Sequence, residues 1–162
     1  MSPNLQSILL GTAGLSAAAL AALLLTLLRK PPSLDPLARN RVLQIFLLGL
    51  SFQCLHFTEE FLTRFEHRLP ELLGLPAWSL DFFVIFNLAW LAIWILSALG
   101  LNRGLRTALF PIWLLALASI VNGIAHPILA TIAGGYFSGL LTSPFLGAIG
   151  ILLWIRLLRL TR

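Results

Sequence analysis

The chain has 162 residues, of which 59% are hydrophobic and only 10% are charged, and its mean hydropathy is +0.94. No soluble domain needs that much apolar surface for its core, so the composition indicates an integral membrane protein. The net charge of +5 does not point to nucleic acid, because the basic residues lie in short hydrophilic gaps and are not interleaved with aromatics. A single cysteine, Cys54, excludes an intrachain disulfide.

Five apolar stretches are long enough to cross the hydrocarbon core of a bilayer, for which about 20 residues are needed. They cover residues 5–28, 41–66, 80–101, 107–133 and 139–158. The gaps between them are rich in proline, glycine or charge and leave no room for a soluble domain. We therefore predict an all-α fold: a polytopic bundle of about five transmembrane helices, forming a single membrane domain over residues 1–162.

The basic residues are distributed unevenly between the gaps. Only Arg64 and Arg68 lie on the side of the membrane that the second gap would face. The others lie on the side of the first gap, the third gap and the C-terminal segment: Arg29, Lys30, Arg39, Arg41, Arg103, Arg106, Arg156, Arg159 and Arg162. By the positive-inside rule the N-terminus is expected outside and the C-terminus in the cytoplasm, in a multi-pass protein of the cell or inner membrane.

The first predicted helix, residues 5–28, carries no ionisable side chain before Arg29 but has small residues at helical spacing. These are Gly11, Gly14, Ala17, Ala18 and Ala21. Such a stripe lets another helix approach closely, so we predict a packing role within the chain. A contact between two copies of the chain is the second interpretation, which would make the protein a homo-oligomer through this helix.

The second predicted helix contains the most polar stretch of any span, "LHFTEEFL". His56, Glu59 and Glu60 stand at positions i, i+3 and i+4 and therefore share one face. Gln53, Thr63 and His67 extend the same stripe. A solvated helix end is the simpler interpretation for the two glutamates. His56, however, lies about 10 residues, or about 15 Å, inside the end of its span, where an ionisable side chain is costly unless it pairs or binds a metal.

Other spans bring polar side chains to the same depth when residues are counted along each helix. The fourth span supplies Asn122 and His126 at i and i+4, the third supplies Asn87, and the fifth opens with Thr142. Pro127 removes one backbone hydrogen bond and predicts a kink, which a membrane helix tolerates where it faces protein or a cavity. We therefore predict a buried polar site in the outer half of the bilayer.

Two blocks of this sequence resemble a known family. The segment "HFTEE" at 56–60 resembles the H-x-x-E-E signature of the HXXEE family, a group of small multi-helix membrane proteins whose function is uncharacterised. A later block resembles the second motif of that family through Asn122, His126, Tyr136, Gly139 and Thr142. Ser138 stands where the family usually has proline. The resemblance implies a four-helix core over 41–158, an additional first helix over 5–28, and a shared site without an assigned reaction.

The residue types favour a metal-dependent enzyme. Two imidazoles and a carboxylate from His56, His126 and Glu60 match a zinc site with an open fourth position, or an iron site within a helix bundle. We take His56, Glu59 and Glu60 as catalytic candidates, with Glu59 as a ligand or general base. The candidates for substrate binding are Asn87, Asn122, Tyr136 and Thr142. With no extramembrane domain to hold a polar substrate, a hydrolase acting on a lipid or another lipid-soluble molecule is expected.

Two functions without a metal remain open at this point. A carboxylate and a histidine in an apolar cavity could serve acid–base isomerisation or cyclisation of an isoprenoid or sterol. Alternatively, the same residues could form the proton or cation site of a small carrier or ligand-binding protein, with the break at Pro127 marking the binding point. A purely structural cluster, in which polar side chains only pair across helices, is the fourth interpretation.

Overall fold

The computed structural model describes residues 3–33 and 35–162, and every regular element in those two ranges is a helix, so the all-α prediction is confirmed. Four helices are long and apolar enough to cross a membrane, and the first two together form a bent fifth candidate. In chain order the helices are α1 (Pro3–Gly11), α2 (Ala13–Leu28), α3 (Pro36–Leu62), α4 (Phe65–Leu72), α5 (Leu80–Asn102), α6 (Leu109–Ile132) and α7 (Ser143–Leu160).

The first predicted span is broken, which the apolar run did not reveal. Helices α1 and α2 meet at an angle of 55° at Thr12. The bend lets α1 dock on the segment before α5, where the Ser7 hydroxyl donates to the Pro76 carbonyl and accepts from the Trp78 indole. A side chain at Gly11 would collide with that indole. Docking on Trp78 therefore explains both the bend at Thr12 and the need for a residue without a side chain at Gly11.

The second predicted span, 41–66, is wrong at both ends. Helix α3 begins at Pro36, after Asp35, whose side chain accepts a hydrogen bond from the Leu37 amide as an N-cap. It ends at Leu62, because Arg64 adopts a left-handed conformation with φ 62° and starts the separate helix α4. His67, expected on the stripe of His56, therefore lies on another helix with its side chain 51% exposed.

Helix α6 is central, and it packs most closely against α7. Gly123 faces Gly147, and Gly150 faces the Ala116 carbonyl, so a Cβ atom at any of these glycines would meet the backbone of the other helix. Small residues allow this close approach in membrane bundles. Helix α7 begins at Ser143, later than predicted, because the preceding turn passes through Gly139 at φ +82°. The start of α7 is thereby held beside α6 and α3.

The small-residue stripe of the first predicted helix is used within the chain. Ala18 and Ala22 of α2 are buried where α2 packs on α6, and a Cβ atom at Gly14 would touch Val121. This contact agrees with the predicted packing role. A homo-oligomer through the same helix stays a prediction.

One end of the bundle gathers the basic residues, and arginine side chains close the helix ends there. Arg106 donates to the carbonyls of Thr26 and Leu27 at the end of α2, and Arg29 donates to the Leu158 carbonyl in α7. Cationic donors satisfy the last carbonyls of a helix, which have no partner within it. We call this end of the molecule the basic half and the opposite end the site half.

Candidate metal centre

Three predicted site residues meet between α3 and α6 in the site half. His56 and Glu60 stand one turn apart on α3, and His126 faces them from α6. The Nε2 atoms of both histidines lie 3.5 Å from Glu60 Oε1, and the possible ligand atoms of the group all lie within 4.8 Å of one another. All three side chains are buried. The prediction that these residues form one group is confirmed.

The hydrogen bond of His126 determines which ring nitrogen carries its proton. Its Nδ1 atom bonds to the carbonyl oxygen of Ser138. A carbonyl can only accept, so Nδ1 must carry the proton and donate. In the neutral imidazole the Nε2 atom of His126 then presents a lone pair toward Glu60.

The same argument applies to His56 through a longer chain of contacts. Its Nδ1 lies 2.7 Å from Thr142 Oγ1, and that hydroxyl donates to Glu59 Oε2 over 2.6 Å. Because the hydroxyl proton is engaged by Glu59, Thr142 accepts from His56, and Nδ1 is again the protonated nitrogen. The Nε2 atom of His56 is buried and has no hydrogen-bond partner. Both imidazoles therefore direct lone pairs at Glu60.

The distances in this group suit a metal better than hydrogen bonds. An N–H···O bond spans about 2.7–3.2 Å, shorter than the 3.5 Å seen twice here. In a tetrahedral zinc site with bonds of about 2.0–2.1 Å, neighbouring ligand atoms stand about 3.4 Å apart. The group formed by His56, Glu60 and His126 could therefore hold a metal ion.

No family model, curated protein or solved structure matches this chain.

Glu59 supports the group from behind His56. One carboxylate oxygen accepts from the Leu141 amide and the Tyr136 hydroxyl, and the other accepts from the amide and hydroxyl of Thr142. Partial burial and the neighbouring Glu59 carboxylate raise the pKa of Tyr136, which keeps its hydroxyl protonated and donating. Glu59 thus ties the turn before α7 to α3.

That turn covers the two imidazoles with backbone. Gly139 adopts φ +82°, and a Cβ atom there would overlap the rings of both His126 and His56. The rings themselves pack edge to face, with centroids 4.7 Å apart. Glycine is required here on two grounds, its left-handed conformation and the missing side chain.

A cavity of about 410 Å³ opens onto Glu60 and His126. Three amide side chains also line it: Gln53, Asn87 and Asn122. Asn87 donates to a backbone carbonyl of its own helix, whereas the Gln53 and Asn122 side chains make no hydrogen bond within the described residues. The remaining lining is mostly aliphatic and aromatic. The cavity therefore offers free amide groups beside the candidate metal ligands.

The predicted site residues divide into two sets in the structure. Asn87 and Asn122 line the cavity with Glu60 and His126, whereas Glu59, Tyr136 and Thr142 form hydrogen bonds with one another behind His56. The sequence does not indicate a role for the Ser138 carbonyl, because every residue has a backbone carbonyl. It does indicate a place in the site for Gln53, because Gln53 precedes His56 by three positions and so shares its face.

Proposed function

We propose that this chain is a membrane-embedded, metal-dependent hydrolase that acts on a lipid or another lipid-soluble substrate. The observation that carries the proposal is the convergence of two imidazole lone pairs and a buried carboxylate at 3.5 Å, with no hydrogen bond between them. Lone pairs facing one another repel unless a proton or a metal ion lies between them, and a metal ion relieves the repulsion for both imidazoles at once. The mostly apolar cavity beside them suits an apolar substrate.

The roles follow from the positions of the side chains. His56, Glu60 and His126 would hold the ion, which would supply a water molecule that is deprotonated near neutral pH. Gln53 and Asn122 would donate hydrogen bonds to the substrate carbonyl from the cavity wall. Addition of water to an ester or amide breaks the bond to the leaving oxygen or nitrogen, giving a carboxylate and an alcohol or amine.

Zinc is the metal we favour over iron. Two histidines and one carboxylate also form the facial site of non-haem iron enzymes. A zinc site with these three protein ligands needs only one further ligand, whereas an octahedral iron site needs three.

Glu59 is best assigned as a positioning residue. Each of its oxygens already accepts two hydrogen bonds, so it could act as a ligand or general base only after giving some of them up. Through Thr142 it holds His56 in the tautomer that leaves Nε2 free. A hydrogen-bonded carboxylate behind a ligating histidine is the usual outer shell of a zinc site.

We also propose that the site is the one shared by the HXXEE family. Support comes from the meeting of both sequence blocks, because His56 and Glu60 belong to the first block, and His126, Gly139 and Thr142 to the second. The collection of basic residues at the other end of the bundle supports an orientation with the C-terminus in the cytoplasm, which would place the site in the outer half of the bilayer.

Metal analysis of the purified full chain tests the proposal. We expect zinc at close to one ion per chain, and a loss to background in the variants His56→Ala, Glu60→Gln and His126→Ala. His67→Ala is the matched control, because this histidine is exposed and outside the group. Absence of Zn, Fe and Mn from a folded, monodisperse preparation would refute the metal-dependent function.

The same preparation separates the alternatives. A metal-free isomerase or cyclase, or a proton carrier, predicts no stoichiometric metal and no effect of a chelator, whereas a cation carrier predicts bound metal without release of fatty acid. The hydrolase predicts release of fatty acid from palmitoyl lipids in proteoliposomes, loss of that release after chelation, and recovery when zinc is returned. Metal at full stoichiometry without any release of fatty acid would contradict the hydrolase while leaving the metal site in place.

A further inference from the structure

We infer that the substrate is an acyl lipid that reaches the site sideways from the bilayer, between α2 and α5. Its acyl chain would lie along the helices and its ester or amide carbonyl would stand beside Glu60 and His126. This inference rests on the proposed function for the reaction, but the binding path stands on separate observations.

The proposed path is the gap between α2 and α5, each of which packs on other helices of the bundle. Helix α2 packs on α6, and α5 packs on α3 and α6. Between α2 and α5 lies a second cavity of about 320 Å³. Its walls are Leu15, Ser16 and Ala19 from α2 and Phe82, Phe86 and Trp90 from α5, with Leu114 of α6 at its base.

The second cavity adjoins the first one. Both are lined by Leu15 of α2 and by Phe82, Phe86 and Trp90 of α5. We call the combined space the slot. Its lining includes Leu10, which is 54% exposed on the surface of the bent first span. The slot is therefore open to the apolar surroundings of the bundle, which in a membrane are lipid chains.

The length of the slot matches one acyl chain in one leaflet. On α5 its lining runs from Phe82 to Trp94, a distance of about 18 Å at 1.5 Å per residue. A leaflet contributes about 15 Å, half of a hydrocarbon core of about 30 Å. The slot runs along the spanning helices, so a lipid could enter it without leaving its usual orientation.

The polar groups of the slot determine where the lipid carbonyl would stand. Below His126 the lining of α6 continues to Ala118, a distance of about 12 Å that is long enough for most of a chain. On the other side Leu73 and Trp78 line the end that faces the loop before α5. A lipid with its chain toward Ala118 and its headgroup toward Trp78 places its carbonyl near Glu60.

Saturable photolabelling of the full chain in detergent tests this inference. The probe is a palmitoyl lysophosphatidylcholine with a diazirine in the middle of its chain, and unlabelled lipid is the competitor. We expect competed labelling of α2 and α5 at residues that line the slot, such as Leu15, Phe86 and Trp90. Labelling that cannot be competed, spread over the outward faces of the helices, would overturn the inference.

Two slot variants and one control sharpen the test. Ala118→Phe fills the deep end and Leu15→Phe narrows the α2 wall, and each is expected to reduce competed palmitoyl labelling about 10-fold. An octanoyl probe should still label Ala118→Phe. Ile124→Phe, on the outward face of α6 and 59% exposed, should label as the unmodified chain does. Equal palmitoyl labelling of all three variants would contradict the slot.

Parallel metal analysis keeps the two proposals distinguishable. Ala118→Phe and Leu15→Phe should keep their zinc, because neither residue belongs to the metal group. Glu60→Gln should lose zinc and keep competed labelling. Labelling without metal in the unmodified chain would refute the metal-dependent hydrolase alone, whereas metal without competed labelling would refute the slot alone.

Discussion

The two halves of the bundle bury polar groups in different ways. In the basic half the buried hydroxyls of Thr26 and Thr161 donate to carbonyls of their own helices, one turn back. In the site half His56 Nε2 has no hydrogen-bond partner, and it and His126 Nε2 each lie 3.5 Å from Glu60 Oε1, which is too long for an N–H···O hydrogen bond. The basic half thus satisfies these two hydroxyls within their own helices, although the buried Trp113 indole there has no hydrogen-bond partner among the described residues. The site half instead directs the unpaired His56 Nε2 at a common centre with Glu60 and His126.

The difference shows what each half requires from the chain. A bundle in lipid gains its stability from close packing, which the fully buried Leu109, Ile112 and Leu115 supply in the basic half. Unpaired polar groups at membrane depth are costly, and the proposed metal would offset that cost in the site half. We therefore expect substitutions in the site half to act on metal binding and those in the basic half to act on folding.

The largest effect is expected from Gly139→Ala. The new methyl group would overlap both imidazole rings and would also force alanine into the left-handed conformation. The overpacking acts on the ligand rings themselves and costs about 1–3 kcal/mol, so zinc should bind up to about 150-fold more weakly. Zinc titration of the purified variant measures this change.

Gly134→Ala is the matched control for that change. Gly134 also has a left-handed conformation, at φ +71°, but a methyl group there meets nothing within 4 Å. Its variant bears the backbone strain without the collision, so its zinc affinity should stay close to that of the unmodified chain. If both glycine variants lose zinc equally, backbone strain alone explains the loss and the contact with the imidazoles is irrelevant.

Leu115→Ala is the corresponding change in the basic half. Because lipid is as apolar as leucine, the transfer part of the usual penalty drops out, and the cavity left in α6 is expected to cost about 1–3 kcal/mol. The midpoint of thermal unfolding in detergent should fall. Zinc per folded chain should be unchanged, and a parallel loss of zinc would show that the halves are not independent.

The metal group could be predicted from the sequence because helical spacing and depth decide most of it. His56 and Glu60 share a face at i and i+4, and Asn122 and His126 do so on another helix. Counting residues from the ends of the spans put both pairs at one depth, and the structure places His56, Glu60 and His126 together. Two periodicities and a count were therefore sufficient to predict that these three side chains meet.

The parts that could not be predicted depend on tertiary contacts or backbone groups. The bend at Thr12 arises from docking of Ser7 on Trp78, which lies far away in the sequence. The role of Thr142 depends on a turn that folds back over α3 and on the carboxylate of Glu59. The gap between α2 and α5 is a consequence of which helices pack on α6, and no residue pattern marks it.

Thr142→Val tests the outer shell of the site with a side chain of nearly the same shape. It removes the hydroxyl that accepts from His56 and donates to Glu59. Loss of such a partner typically lowers metal affinity about 10–100-fold, and we expect a change in that range from competition with a zinc chelator. Thr142→Ser keeps the hydroxyl and should restore the affinity. Full affinity in the valine variant would remove Thr142 from the site.

The smallest effect is expected from Tyr136→Phe, which deletes one hydrogen bond at the outer edge of the same chain of contacts. The Tyr136 hydroxyl donates to Glu59 over 2.7 Å, but Glu59 keeps three other donors, from Leu141 and Thr142. A single such bond contributes about 0.5–1.5 kcal/mol, so zinc affinity should fall by no more than about 10-fold. A loss as large as that of Thr142→Val would mean that Tyr136 determines the position of Glu59. The orientation of His56 would then depend on Tyr136 in the exposed turn and not only on residues of α3.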